Sequence, residues 1–188
     1  MDTLVANQQS ARINVDPLHP EDQSVLNKSN TVAGTENPVR ISIILPTNAY
    51  FMSGIRDFTK TVVQNMTGFA EQWAFRFQSV VDELTNNAIE FGSAPGEDIK
   101  ITFISVKNRY IEVFVEDTGT GSIKKTAADM TAFVQKQRNL DPSKITTLRG
   151  RGLAQIVANW TDSLEFKDNE KGGITVHVMK YLNTGDQY

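Results

Sequence analysis

Three short stretches carry residue types that chemistry could use. The first is "DELTNNAIEFG", residues 82–92, in which Glu83 and Asn87 stand four apart. On a helix, side chains at i and i+4 sit one turn apart on the same side, so a carboxylate and an amide would share one spot. That pair suits a divalent cation, or a water that must be held and polarised. Mg²⁺ takes a few such oxygens together with waters and substrate phosphates. The same spacing also describes a solvated polar helix face, and at this level both readings stand.

The second stretch is "VEDTGTGS", residues 115–122. Ile111, Val113 and Val115 alternate along the run before it, and the alternation turns Asp117 inward at the end of a strand. A carboxylate there needs donors or pays a large desolvation penalty. A ligand amino group, such as the exocyclic amine of adenine, would supply one. Gly119 and Gly121 would then let backbone lie close against that ligand.

The third is "LRGRGLAQI", residues 148–156, where Gly150 and Gly152 precede a helical pattern of Leu153, Ile156, Val157 and Trp160. A glycine turn opening a helix aims free N–H groups and the positive end of the helix dipole at one place. Arg149 and Arg151 add charge. The stretch reads as a phosphate cradle, without the Gly-Lys-Ser/Thr ending of a P-loop and without a strand feeding a dinucleotide fingerprint.

The rest of the chain must position these stretches. Residues 39–46, "VRISIILP", alternate as a strand, and Pro46 ends it. Residues 49–66 repeat Phe51, Ile55, Phe58, Val62 and Met66 at helical spacing up to Gly68. A second helix is expected over 71–91, with Trp73, Phe77, Val80, Leu84, Ala88 and Phe91 as its apolar face. Strands follow at 98–106 and 110–117, joined by a hairpin-length turn. Residues 118–150 contain a helical pattern around "AADMTAFVQKQRNL" and an excess of basic residues, among them Lys124, Lys125, Lys136, Arg138 and Lys144. They read as a lid, or in their middle part as an ordinary amphipathic surface helix. A helix over 151–160 and a last hairpin over 163–181 complete the order. Short turns between neighbouring strands argue for an α/β two-layer sandwich, a mainly antiparallel mixed sheet with helices on one face.

Residues 1–38 hold three of the six prolines and no aromatic residue. Such a segment buries too little to offset its ordering entropy, so a flexible arm is expected, with a short ordered piece around "SARINVDPL". The domain is then 39–182, and 183–188 form a tail. The chain of 188 residues is 39% hydrophobic and carries a net charge of -3. No global charge argues for direct binding of nucleic acid, and the absence of cysteine excludes disulfides and thiolate chemistry. No apolar run approaches the ~20 residues of a membrane span, and the start lacks a secretory signal. A soluble, cytoplasmic protein that neither enters nor binds a membrane is expected. The two histidines, His19 and His177, sit in unrelated contexts, so a zinc site or a Ser-His-Asp triad has little to build with, and His177, in an alternating strand, reads as structural.

Taken in order, the three stretches resemble the GHKL (Bergerat-fold) ATPase superfamily, named for gyrase, the heat-shock chaperone, histidine kinases and MutL. "DELTNNAIEFG" looks like the N-box Glu-x-x-x-Asn, "DTGTG" like the first glycine box and "GRGL" like the second. Within the superfamily the N-box form and the "ITVHVMKYL" ending are most similar to bacterial anti-sigma-factor serine/threonine kinases. The resemblance implies ATP and Mg²⁺ as ligands and Glu83 as the general base. It implies Asn87 on the metal and Asp117 on the adenine amine, with Gly119 and Gly121 shaping that pocket. Arg149, Gly150, Arg151, Gly152 and Leu153 would line the triphosphate, and Thr175 would reach adenine through a water. It further implies a sigma factor and an anti-anti-sigma antagonist as partners, and suggests a homodimer. Phe91 departs from the pattern, standing where relatives often have histidine. A non-catalytic module of the same fold, switched by nucleotide, is the alternative.

Overall fold

The computed structural model describes residues 11–16, 38–139 and 152–183. Six strands form one open sheet in the order β1-β2-β3-β4-β6-β5. They are β1 (Arg12–Asp16), β2 (Val39–Pro46), β3 (Asp98–Val106), β4 (Tyr110–Glu116), β5 (Ser163–Asp168) and β6 (Ile174–Tyr181). Every neighbouring pair is antiparallel, so the mixed pairing allowed for above does not occur among them. β1 falls inside the stretch expected as an arm, at its "RINVD" piece, and adds an edge strand to β2.

The helices are α1 (Met52–Met66), α2 (Glu71–Asn87), α3 (Ala127–Arg138) and the short α4 (Ala158–Trp160). Their buried side chains meet one face of the sheet. Val62 and Val63 of α1, and Phe77, Val80 and Leu84 of α2, join Ile99, Ile101, Phe103, Ile111, Val113 and Val115 in a single core. Phe58 meets Phe103 edge to face at 5.5 Å. Full burial of each such side chain stabilises the fold by roughly 1.5–3 kcal/mol, which explains why the apolar spacing of both helices is kept so strictly.

The strand alternation also defines the other sheet face. On β4 it carries Tyr110, Glu112, Phe114 and Glu116, opposite Tyr181, Met179, His177 and Thr175 of β6. His177 stacks on Phe114 with ring centroids 4.2 Å apart and planes 1° apart. Its Nε2 lies 3.2 Å from Glu112 Oε2, but off the line of a well-formed hydrogen bond, so the contact is one of proximity and packing. The structural reading of His177 agrees with this setting.

Two helix ends depart from regular α geometry, and both border the site. The second helix, expected over 71–91, stays α-helical through Asn87 and then widens into a π-turn, Ala88–Gly92. The Ser93 N–H donates to Ala88 O at 2.9 Å, closing the wider ring. Gly152–Val157 is likewise a π-turn that runs into α4, where a plain helix was expected. Such π segments are rare and collect at functional sites.

Candidate functional site

A cavity of about 490 Å³ opens where the C-terminal end of α2, the ends of β4 and β6, and α3 converge. Its size is that of a small-molecule site, in the range of roughly 300–1,000 Å³. Val115, Leu153, Ile174 and Val176 give it an apolar floor, and Ile123, Met130 and Phe133 close the opposite side. Its polar lining side chains are Asn87, Asp117, Lys124, Lys125 and Thr126.

Asp117 follows β4 directly, and the pleat that buries Ile111, Val113 and Val115 carries its side chain to the helix side, as the sequence implied. Oδ1 accepts from the Gly119 and Ile174 backbone N–H groups, each at 3.0 Å. Oδ2 has no donor assigned among the described residues. Burial pushes the Asp117 carboxyl above its usual range, and the two backbone donors offset part of that shift. A carboxylate held this way, with one oxygen satisfied and the other available, is set up to accept from a ligand donor.

Glycines make room for it. A Cβ on Gly92 would overlap Asp117 Oδ2, and one on Gly173 would overlap Oδ1. Gly119 has φ +67 and presses against the Gly172 carbonyl, where no side chain fits. Gly121 donates to Gly92 O at 3.3 Å and lies against Phe91 O. The glycine box thus shapes the pocket by backbone-on-backbone contact. Hydroxyls staple the same loops. Thr118 N donates to Ser93 Oγ at 3.0 Å, and Ala94 N to Thr120 Oγ1 at 3.0 Å, with Thr118 and Thr120 hydroxyls 2.7 Å apart.

On α2, Asn87 Nδ2 donates to Glu83 O at 2.8 Å and to Glu83 Oε1 at 2.9 Å. The amide nitrogen is thereby spent on Glu83, which leaves Asn87 Oδ1 as the oxygen offered elsewhere. The Glu83 carboxylate lies against the α-carbon of Gly152, where any Cβ would overlap it. Gly152 therefore brings the second glycine stretch onto the N-box. No cluster of three or more His, Cys, Asp or Glu side chains among the described residues could hold a metal. One amide oxygen, completed by phosphates and waters, is the kind of donor set Mg²⁺ accepts, so the residues present fit that ion.

The other expected site residues fall as follows. Leu153 lines the cavity. Arg149, Gly150 and Arg151 lie outside the described residues, as does the end of the expected lid. Within the stretch expected as a lid lies α3, capped by reciprocal bonds between Thr126 and Asp129 that hold the Asp129 carboxyl below its usual range. The Ala127 N–H is tied to Asp168 Oδ1 at 2.8 Å. Lys124 and Lys125 border the cavity. Thr175 is not brought into it. It pairs in register with Glu116, so the pleat turns it to the opposite sheet face, while Ile174 and Val176 face the cavity. Sequence reasoning missed Gly92, Asn169 and Gly173. The stretch "DNEKGG", an asparagine followed three and four residues later by glycines, marks the turn of the last hairpin but not what that turn meets.

A sheet of this order, with Asp117 at the end of β4 and Asn87 of α2 lining one cavity, and with Glu83 bonded to Asn87 but not itself among the lining residues, fits a nucleotide-binding class of fold. Residues 45–180 match the histidine kinase-like ATPase domain, and the chain belongs to that family. It is also similar to the Anti-sigma F factor of Bacillus cytotoxicus, 31% identical over 111 residues, which cover 58% of this chain and 70% of that relative.

Proposed function

We propose that this chain is an ATP- and Mg²⁺-dependent serine/threonine protein kinase of the anti-sigma type, which binds a sigma factor and phosphorylates an antagonist protein. The similarity to an anti-sigma factor supports the partners. The observation that carries the chemistry is the Glu83 carboxylate bonded to Asn87, which lines the same cavity as Asp117. Asp117 accepts from the adenine amine. That sets the triphosphate toward Asn87, Gly152 and the segment with Arg149, Gly150 and Arg151. Mg²⁺, when bound, neutralises phosphate charge, and Asn87 Oδ1 is the oxygen this chain offers it. Glu83 takes the proton of a seryl hydroxyl as that oxygen bonds to the γ-phosphorus and ADP leaves. A base in this position accounts for a carboxylate that nucleotide binding alone does not need.

A second reading is a nucleotide-switched binding module without transfer. It is favoured by the engagement of Glu83 with Asn87 and Gly152, which occupies the carboxylate. Labelled ATP and the antagonist separate the two. Glu83→Ala is expected to keep ATP affinity within a few-fold and to cut transfer by about 10²–10⁴. Asn87→Ala is expected to lose Mg²⁺-dependent binding along with turnover. Transfer at the wild-type rate by the Glu83 variant removes Glu83 from the chemistry, and no transfer by the wild type with ATP bound turns the conclusion to the switch.

A further inference from the structure

One side chain ties together the turn between β5 and β6 and also reaches across to Asp117. Asn169 Oδ1 accepts from the backbone N–H groups of Lys171 and Gly173, both at 3.0 Å. Its own backbone exchanges bonds with Gly172 and Gly173 at 3.0 and 2.9 Å. The amide of the same side chain then donates from Nδ2 to the main-chain carbonyl of Asp117 at 2.9 Å, across 52 residues of sequence. The Asp117 N–H is held on its other side by Ile174 O at 3.1 Å. Asp117 is therefore clamped at both ends of its main chain by the turn and strand that also supply an N–H to its carboxylate.

A turn does not require this. The two acceptor bonds of Asn169 close the loop, and an aspartate would make them equally well. Only an amide adds the donor that the Asp117 carbonyl takes. We infer that Asn169 is a positioning residue for base recognition, fixing the Asp117 carboxylate at the angle from which it meets an exocyclic amine. Hydrogen bonds weaken steeply with misalignment, so a loosened Asp117 costs affinity for the base while leaving the phosphates alone. The inference rests on the reading of Asp117 as the adenine contact.

The test uses the full chain as wild type, Asn169→Asp and Asn169→Ala. Calorimetry measures ATP and inorganic triphosphate, and hydrogen exchange without nucleotide follows the Gly119 and Ile174 amides. Asn169→Asp keeps the acceptors of the turn, so it remains informative if the alanine variant fails to fold. Both variants are expected to lower the ratio of ATP to triphosphate affinity by about 3- to 10-fold, the worth of one ordinary hydrogen bond, and to speed exchange at both amides. An unchanged ratio in folded variants, or unchanged exchange, overturns the role. A wild type that binds triphosphate as well as ATP refutes the adenine reading instead. Faster exchange in the variants would then still support the hold on Asp117, and unchanged exchange would refute it.

Discussion

β4 and the residue after it carry two carboxylates on opposite faces of one sheet, Glu112 buried and Asp117 half-buried, and their surroundings differ. Glu112 is 3% exposed and lies beside His177 in a stack with Phe114, among side chains. Asp117 is surrounded by backbone: two N–H groups on one oxygen, glycines against both, and a cavity beside it. Burial alone does not mark a binding group, since Glu112 is the more enclosed of the two. What distinguishes them is the material around the group. Side chains that pack against Glu112 fill its space, whereas glycines around Asp117 leave space for something else.

Exchanging each carboxylate for its neutral counterpart should break the symmetry of the pair. Asp117→Asn presents an amide donor to a ligand amine, and the loss of a charge-assisted bond of about 1.5–3 kcal/mol corresponds to roughly 10- to 100-fold in ATP affinity. Triphosphate binding should hardly change, and Glu112→Gln should leave both ligands within about two-fold. Equal effects of the two substitutions on ATP would erase the contrast.

Stability should run the other way. Glu112→Ala empties a buried position packed beside His177 and is expected to cost about 0.5–3 kcal/mol in chemical denaturation, with ATP affinity retained. Asp117→Asn should cost little at neutral pH. The Asp117 pKa is raised by burial, so its contribution to stability is fully present below the ordinary carboxyl pKa. That contribution is lost as pH rises through the raised value. A neutral amide escapes that loss.

The smallest expected effect is in the pH profile of binding. Protonation of Asp117 places a hydrogen on the oxygen meant to accept, so ATP affinity should fall as pH drops through the raised pKa, beginning above the range of an ordinary aspartate. Asp117→Asn should flatten that limb. A profile that falls only in the ordinary carboxylate range would show that burial does not act on the binding group.

Much of this was legible in the sequence because short-range pattern and local sterics decide it. The alternation through Ile111, Val113 and Val115 fixes the side on which Asp117 emerges, and the i, i+4 spacing brings Glu83 to Asn87. The β2 strand over 39–46 and the antiparallel hairpins follow from the same periods. What failed depends on pairing between distant segments. Thr175 was assigned to adenine by resemblance, but its register with Glu116 turns it to the other face. The π-turn after Asn87 cannot be told from a continuing helix by apolar spacing. Asn169 and Gly173 meet Asp117 only after β4 and β6 pair, and Gly92 only once the π-turn after α2 packs against it, so the turn signal in "DNEKGG" does not show what that turn meets.

The most direct test is a crystal structure of the chain with a non-hydrolysable ATP analogue and Mg²⁺. The account predicts the adenine amine within about 2.7–3.2 Å of Asp117 Oδ2, the phosphates toward Gly152, and Asn87 Oδ1 on the metal. Adenine bound elsewhere, or turned with its amine away from Asp117, would contradict it.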